Sequence, residues 1–135
     1  MIKPAILSDA SRIVDMMGEF HNAANQPQEF DPASAFITIS NMIEADQLVF
    51  ISENGFICGS LMPSPVNFSW MLALELYWWS KDGKGVQLMN AFIAEAIGRG
   101  ANEILVSHRA ATPRIGRYME RSGFSHDGTV YRRLI

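Results

Sequence analysis

Cysteine is almost missing from this chain, with Cys58 as the only one. No intrachain disulfide can form, and a reducing cytoplasm is the expected setting. Histidine is sparse and scattered, at His21, His108 and His126. With a single thiol beside it, that set matches no structural zinc site, so no metal is expected. No apolar run approaches the ~18 residues that span a bilayer, and the opening MIKPAILSDA lacks a basic-then-apolar export pattern. No membrane partner is therefore expected. Internal repeats and low-complexity tracts are absent. So are the clustered lysines and interleaved aromatics of a long nucleic-acid groove, and no nucleic-acid partner is expected. What remains is a chain of 135 residues, 48% hydrophobic, the size of one domain over residues 1–135. Such a chain buries roughly two-thirds of the surface it exposes when unfolded.

The net charge of −3 hides an asymmetry. Residues 1–75 carry two basic side chains against nine carboxylates, a balance of −7, and residues 76–135 carry nine against five, a balance of +4. A basic C-terminal half suits a polyanionic ligand and an acidic N-terminal half suits a cationic one. Plain solvated surface charge gives the same numbers.

The most informative stretch is WWSKDGKGVQLMNAFIAEAI, Trp78 to Ile97. Before it, Met71 to Trp79 is apolar apart from Glu75 and reads as a strand buried on both sides. After it, Leu88, Met89, Phe92, Ile93, Ala96 and Ile97 recur at helical spacing. Gly83 and Gly85 bracket Lys84 between the two. A strand, a glycine turn and a buried helix make an anion site, because the first helical N–H groups lack partners and glycine admits a phosphate. The same glycines also serve a simple turn.

Elsewhere, Ile2 to Ala5 reads as a strand, and a helix follows with Ser8 or Asp9 as cap and Ala10, Ile13, Met17 and Phe20 as its buried stripe. His21 to Phe30 has no period and reads as a loop. Asp31-Pro32 starts a second helix with Phe36, Ile39, Met42 and Ile43 inward. Leu48 to Ser52 and Phe56 to Met62 form a hairpin around Glu53-Asn54-Gly55, and Pro63-Ser64-Pro65 ends its second strand. Gly98-Arg99-Gly100 stops the long helix, Glu103 to Ser107 is a strand, and Pro113 to Arg121 is a short helix closed by Gly123. Two last strands are expected around Phe124 to His126 and Thr129 to Leu134.

Ser80-Lys81-Asp82-Gly83-Lys84-Gly85, followed by Leu88-Met89, resembles the acyl-CoA pyrophosphate loop of the GNAT superfamily of N-acyltransferases, with Ser80 where Arg or Gln is usual. Ile2-Lys3-Pro4-Ala5 with Asp9-Ala10 resembles the opening of that superfamily, and Arg117 to Phe124 resembles a third of its segments. The resemblance covers essentially the whole chain. It implies an α+β (α/β/α) GNAT fold, a central mixed, mostly antiparallel twisted sheet of about six to seven strands flanked by four helices. It implies acetyl-CoA as acyl donor, held by the backbone of Leu76, Tyr77 and Trp78 and by Ser80, Lys81, Asp82, Gly83, Lys84, Gly85 and Val86. The implied activity is transfer of an acetyl group straight to a primary amine on a small molecule, a peptide N-terminus or a lysine. A homodimer is left open. The other reading is a weak or inactive GNAT-fold binding or structural protein, of the small kind also met in tailed phages.

Acylation of an amine requires a base for the amine, a donor for the oxyanion and a proton for the thiolate. Glu75, the one ionisable group in its strand, is the candidate base, since burial raises a carboxyl's pKa. A carboxylate bonded to backbone at a strand irregularity would look the same. By resemblance, Leu76 to Trp78 pairs with the pantetheine arm, and a bulge there frees N–H groups for the thioester oxygen. The same resemblance puts a proton-donating Tyr where this chain has Met119, with Tyr118 one residue earlier, and an Asn where it has Thr112. Tyr118, Ser107 and His108 are the remaining proton donors. Packing is the alternative role for Tyr118, and a structural role for His108. His21 and Glu29 are, by resemblance, candidates to line the acceptor pocket.

Overall fold

Two helices from the N-terminal third pack on one face of a five-stranded sheet, and two later helices cover the other. A computed structural model of the chain describes residues 1–108 and 113–135; Thr112 lies outside them. The strands are β1 (Lys3–Pro4), β2 (Leu48–Ile51), β3 (Gly55–Ser64), β4 (Asn67–Ser80) and β5 (Glu103–Leu105), side by side in chain order. Every pairing is antiparallel except β4 with β5, which is parallel. That exception requires a crossover, supplied by α3 (Gly85–Gly98).

The helical spacing of apolar residues sets what each helix buries. α1 (Ala10–Ala23) turns Ala10, Ile13, Val14, Met16 and Met17 inward, and α2 (Pro32–Glu44) turns Ala35, Ile39 and Met42 inward. They meet Val49, Ile51, Phe56 and Cys58 on one sheet face. On the other face, Leu88, Met89, Phe92 and Ala96 of α3 and Met119 of α4 (Pro113–Arg121) meet Leu48, Phe50, Ile57 and Ala73. The expected α/β/α layering is present. Asp31 caps α2 by accepting from the Ala33 N–H at 3.2 Å, with Pro32 in the first turn where its missing N–H costs nothing. Gly123, at φ +93°, ends α4, and the Phe124 N–H reaches back to the Met119 carbonyl at 3.0 Å.

Several expectations are corrected. Asp9 does not cap α1 with its side chain. Its carboxylate turns back to the Lys3 Nζ at 2.8 Å and the Ile6 N–H at 2.9 Å, tying β1 to the helix. Phe36 is 43% exposed, because the α2 stripe centres on Ala35 and Ile39 and leaves its neighbour outside. Pro63 and Ser64 belong to β3, and the turn comes at the next two residues. β4 is not buried on both sides; Ala73 is its one fully buried side chain, while Leu76 and Tyr77 are 46% and 37% exposed.

The two last strands do not form. Residues 124–135 carry no strand, and the sheet has five strands rather than six or seven. Val130 and Tyr131 are both 91% exposed. The alternation Val130, Tyr131, Arg132, Arg133, Leu134, Ile135 puts an arginine on each face, so neither face can be buried whole.

One position governs how β3 and β4 meet. The register slips between Cys58 and Gly59, so that Tyr77 faces Cys58, Glu75 faces Gly59, and Leu76 is a bulge with no partner. A Cβ on Gly59 would lie 2.2 Å from the Leu74 carbonyl oxygen and 2.6 Å from the Phe92 ring. Gly59→Ala should therefore cost at least about 2 kcal/mol, through forced separation of two strands and a core ring. Gly128→Ala, where a Cβ would meet nothing, should cost close to nothing. Urea midpoints of the two variants check the contrast.

Candidate active site

β4 and β5 are paired only through Leu72–Glu103, Ala73–Ile104 and Leu74–Leu105. Beyond Leu74 the two parallel strands part. β4 continues to Ser80 with β3 still paired on its other side, from Tyr77–Cys58 to Ser80–Gly55. Among the described residues, no strand pairs with the side of β4 that β5 has left over Glu75 to Ser80, the edge to which an extended amide chain adds as a strand.

Glu75 is the first residue past the last β5 pair. Its Oε1 accepts from the Ser107 N–H at 3.3 Å, across the opening. Burial pushes the Glu75 carboxyl up to about 7, only partly offset by the Ser107 hydrogen bond. A carboxylate with this value is half-ionised at neutral pH, the condition in which a base both accepts and releases protons readily. The nearby Cys58 thiol is fully buried and pushed up to about 12 by that burial, so it is no nucleophile.

At the far end of β4 the chain turns through Lys81 to Lys84 into α3. Gly83 takes φ +74°, a conformation that side chains rarely adopt. Asp82 organises the turn: its carboxylate accepts from the Ser80 hydroxyl at 2.7 Å and from the Lys84 N–H at 3.1 Å. The Ser80 hydroxyl in particular holds the Asp82 carboxyl below its usual value. Trp78 Nε1 donates to the Gly85 carbonyl at 2.9 Å, and a Cβ on Gly85 would approach that nitrogen to 3.1 Å. Lys81 reaches Glu19 on α1 at 3.2 Å. The N–H groups of Gly85 and Val86 open the helix with no partner among the described residues, and exposed Lys84 stands beside them. This end of the cleft fits a pyrophosphate: free N–H groups, a helix N-terminus and an exposed cation together favour one.

The proton-donor candidates differ in what holds them. Tyr118 donates its hydroxyl to Asn90 Oδ1 on α3 at 3.2 Å, and its ring lies 6.3 Å from that of Trp78. Met119 is 6% exposed and belongs to the core. The His108 ring leans on α4, where a Cβ on Gly116 would come within 2.9 Å of Nε2. Ser107 is exposed at the end of β5, with its main-chain N–H spent on Glu75. The structure thus brings Glu75 and Ser107 together, and pairs the Tyr118 hydroxyl with Asn90 of α3.

On the opposite sheet face, α1, the loop after it, α2 and Tyr77 enclose a cavity of about 370 Å³. His21 and Glu29 both line it, with Phe20, Phe30 and Asp31. Tyr77 is the wall it shares with β4.

No protein-family model matches the chain, and no curated protein matches it. Solved structures do. A crystal structure described as a probable acetyltransferase superposes with a TM-score of 0.80 at 13% identity, covering 100% of this chain and 97% of its own. A predicted acetyltransferase of Clostridium acetobutylicum, solved with acetyl-CoA, gives 0.78 at 14% identity over 100% and 95%. The ribosomal-protein-alanine N-acetyltransferase of Brucella melitensis biovar Abortus 2308 gives 0.69 at 14% identity over 100% and 99%. This is a GNAT fold. At such identities the likeness is one of fold. It extends across almost the full length of both chains, as the sequence resemblance had implied.

Within this GNAT fold, no helix among the described residues is long and apolar enough to cross a membrane, and no cluster of metal-ligating side chains occurs among them. Sequence reasoning missed Gly59, Asn90 and Gly116. Gly59 and Gly116 act by close approach across elements distant in sequence, and no local pattern marks such a contact. Asn90 lies on the exposed side of α3 and is identified only by its partner.

The displaced Glu75 pKa has a thermodynamic consequence. The folded value, about 7, lies above the 4.5 of an ordinary glutamate, so the native state binds more protons between the two, and this group's contribution falls as pH rises through that window. Glu75→Gln should remove the dependence and be more stable than wild type at pH 8, by up to about 3 kcal/mol. Below pH 4.5 the two should converge. Thermal melts from pH 4 to 8.5 read this directly.

Proposed function

We propose that residues 1–135 form a single GNAT-like acyltransferase domain that moves the acetyl group of acetyl-CoA straight to a primary amine. The single observation that carries this reading is the parting of β4 and β5 directly at Glu75. It leaves an open strand edge, a base with a pKa near neutrality and a bulge in one place. Acetyl-CoA, when bound, supplies the thioester. The backbone of Leu76, Tyr77 and Trp78 would pair with its pantetheine arm. Ser80 to Val86 would face its pyrophosphate, through the N–H groups of Gly85 and Val86 and the ammonium of Lys84, while Asp82 holds the loop in shape. Glu75 takes the proton of the attacking amine as the N–C bond forms and the C–S bond breaks. The N–H at the Leu76 bulge is the donor suited to the carbonyl oxygen. The acceptor enters from the cavity side of Tyr77. The lone thiol, buried and unpaired, supports a cytoplasmic setting.

A second reading, CoA binding without transfer, is favoured by one observation: Met119 is buried and the Tyr118 hydroxyl is engaged by Asn90, so neither is free to return a proton to the thiolate. Two variants separate the readings. Lys84→Glu, on an exposed residue, should weaken CoA binding about tenfold under either one, by losing an attraction and adding a repulsion; calorimetry measures it. Glu75→Gln should keep CoA affinity and lower turnover roughly a hundredfold, with a deficit that shrinks as pH rises and the amine deprotonates unaided. Turnover equal to wild type would remove Glu75 from the chemistry. Absence of transfer to any member of a broad amine panel, with CoA still bound, would favour the second reading.

A further inference from the structure

The cavity on the α1–α2 face has a chemistry that a simple amine does not require. We propose that it selects a dicationic acceptor, a diamine or aminoalkyl compound whose second basic group is held by Glu29 while an apolar spacer passes Tyr77 toward Glu75. This rests on the acyl-transfer reading and narrows its substrate.

The argument begins with volume and walls. About 370 Å³ lies within the range of small-molecule sites, and Phe20, Phe30 and Tyr77 give it apolar and π-rich sides. Phe20 stacks edge-on against Tyr77, with ring centroids 6.2 Å apart, which fixes the wall nearest β4. Such faces accept both methylene groups and a cation.

Charge narrows the rest: a cation stands at the cavity, the Arg132 guanidinium, which donates to the lining Gln26 at 3.3 Å and leaves Glu29 without a partner among the described residues. Two carboxylates line the cavity, Glu29 and Asp31. Asp31 is committed to the start of α2 through the Ala33 N–H and the Ser34 hydroxyl, and that hydroxyl keeps it ionised. His21 is committed as well, its Nε2 donating to the Gln28 carbonyl at 2.6 Å. Glu29 is exposed and has no hydrogen bond or ion pair among the described residues. A reacting amine held between these carboxylates would keep its proton, since opposite charge raises an amine's pKa. Nucleophilic attack requires that proton to leave. The charge of Glu29 and Asp31 therefore serves a cation that does not react, leaving the reacting amine to Glu75, whose half-titrated carboxyl can accept its proton.

The test compares 1,5-diaminopentane with n-pentylamine, equal in chain length and different by one charge. NMR titration of the intact protein, followed at Tyr77 and His21, gives affinities without relying on activity. The diamine should bind about five- to tenfold tighter at low salt, as expected of a partly exposed charge pair. Glu29→Gln should erase most of that preference, and Glu44→Gln, an exposed change elsewhere on α2, should leave it intact. Equal affinity for the two amines, or a preference that survives Glu29→Gln, overturns the proposal. Acetyl transfer is scored separately on the same samples. Glu29-dependent diamine binding with no transfer would keep the cavity assignment and sink the acyl-transfer reading. Transfer to both amines alike, untouched by Glu29→Gln, would keep the enzyme and sink the dication.

Discussion

The parting of β4 from β5 after Leu74 is the constraint on which the rest of this structure depends. A parallel pair normally continues until one strand ends, and β5 does end early, after three residues. β4 runs six residues further because β3 holds it along the other side. The antiparallel ladder carries the stability of that overhang, and the open edge costs little while water can reach it. Asn102 marks the closed end of the wedge. Its side chain accepts from the Met71 N–H at 2.8 Å and its own N–H donates to the Met71 carbonyl at 2.9 Å, so the strands are clamped where they start and free where they finish.

The bulge at Leu76 and the burial of Glu75 follow from the same arrangement. An extra residue in β4 has to be absorbed opposite a residue without a side chain, and Gly59 is that residue. The slip sets Tyr77 against Cys58 on the α1–α2 side and leaves Glu75 opposite Gly59, on the side of α3. Without it, every side chain of β4 beyond that point would change face. One glycine thus decides both which residue meets Ser107 and which ring walls the cavity.

The sequence made the layered architecture legible because its helices are strongly periodic and their ends are well marked. Asp31-Pro32, Gly100 and Gly123 each behave as their residue types predict. The glycine loop was legible from Gly83 and Gly85 together with the strand before and the helix after. What was not legible came from tertiary competition. Apolar density over Met71 to Trp79 suggested burial on both sides, yet exposure there is set by where β5 stops, which no residue of β4 records. A strand was expected over Thr129 to Leu134, but Arg132 and Arg133 place charge on both of its faces. Tyr118 looked like a displaced proton donor, and only its Asn90 partner shows where the hydroxyl is used.

That last difference bears on how the proposed chemistry divides between its two protons. An alkyl amine carries its proton to a pKa of about 10, whereas a thiol of ordinary acidity loses its own near 8.5. At neutral pH the amine therefore needs help from a base more than the departing thiolate needs help from an acid. The structure is built with the same bias. The base side has a carboxyl raised to about 7 by burial and steadied by the Ser107 N–H, and the acid side has a buried methionine and a tyrosine held by α3. Under the proposed function, such an arrangement would give up the smaller of the two catalytic contributions. It would retain the one that decides whether the amine can attack at all.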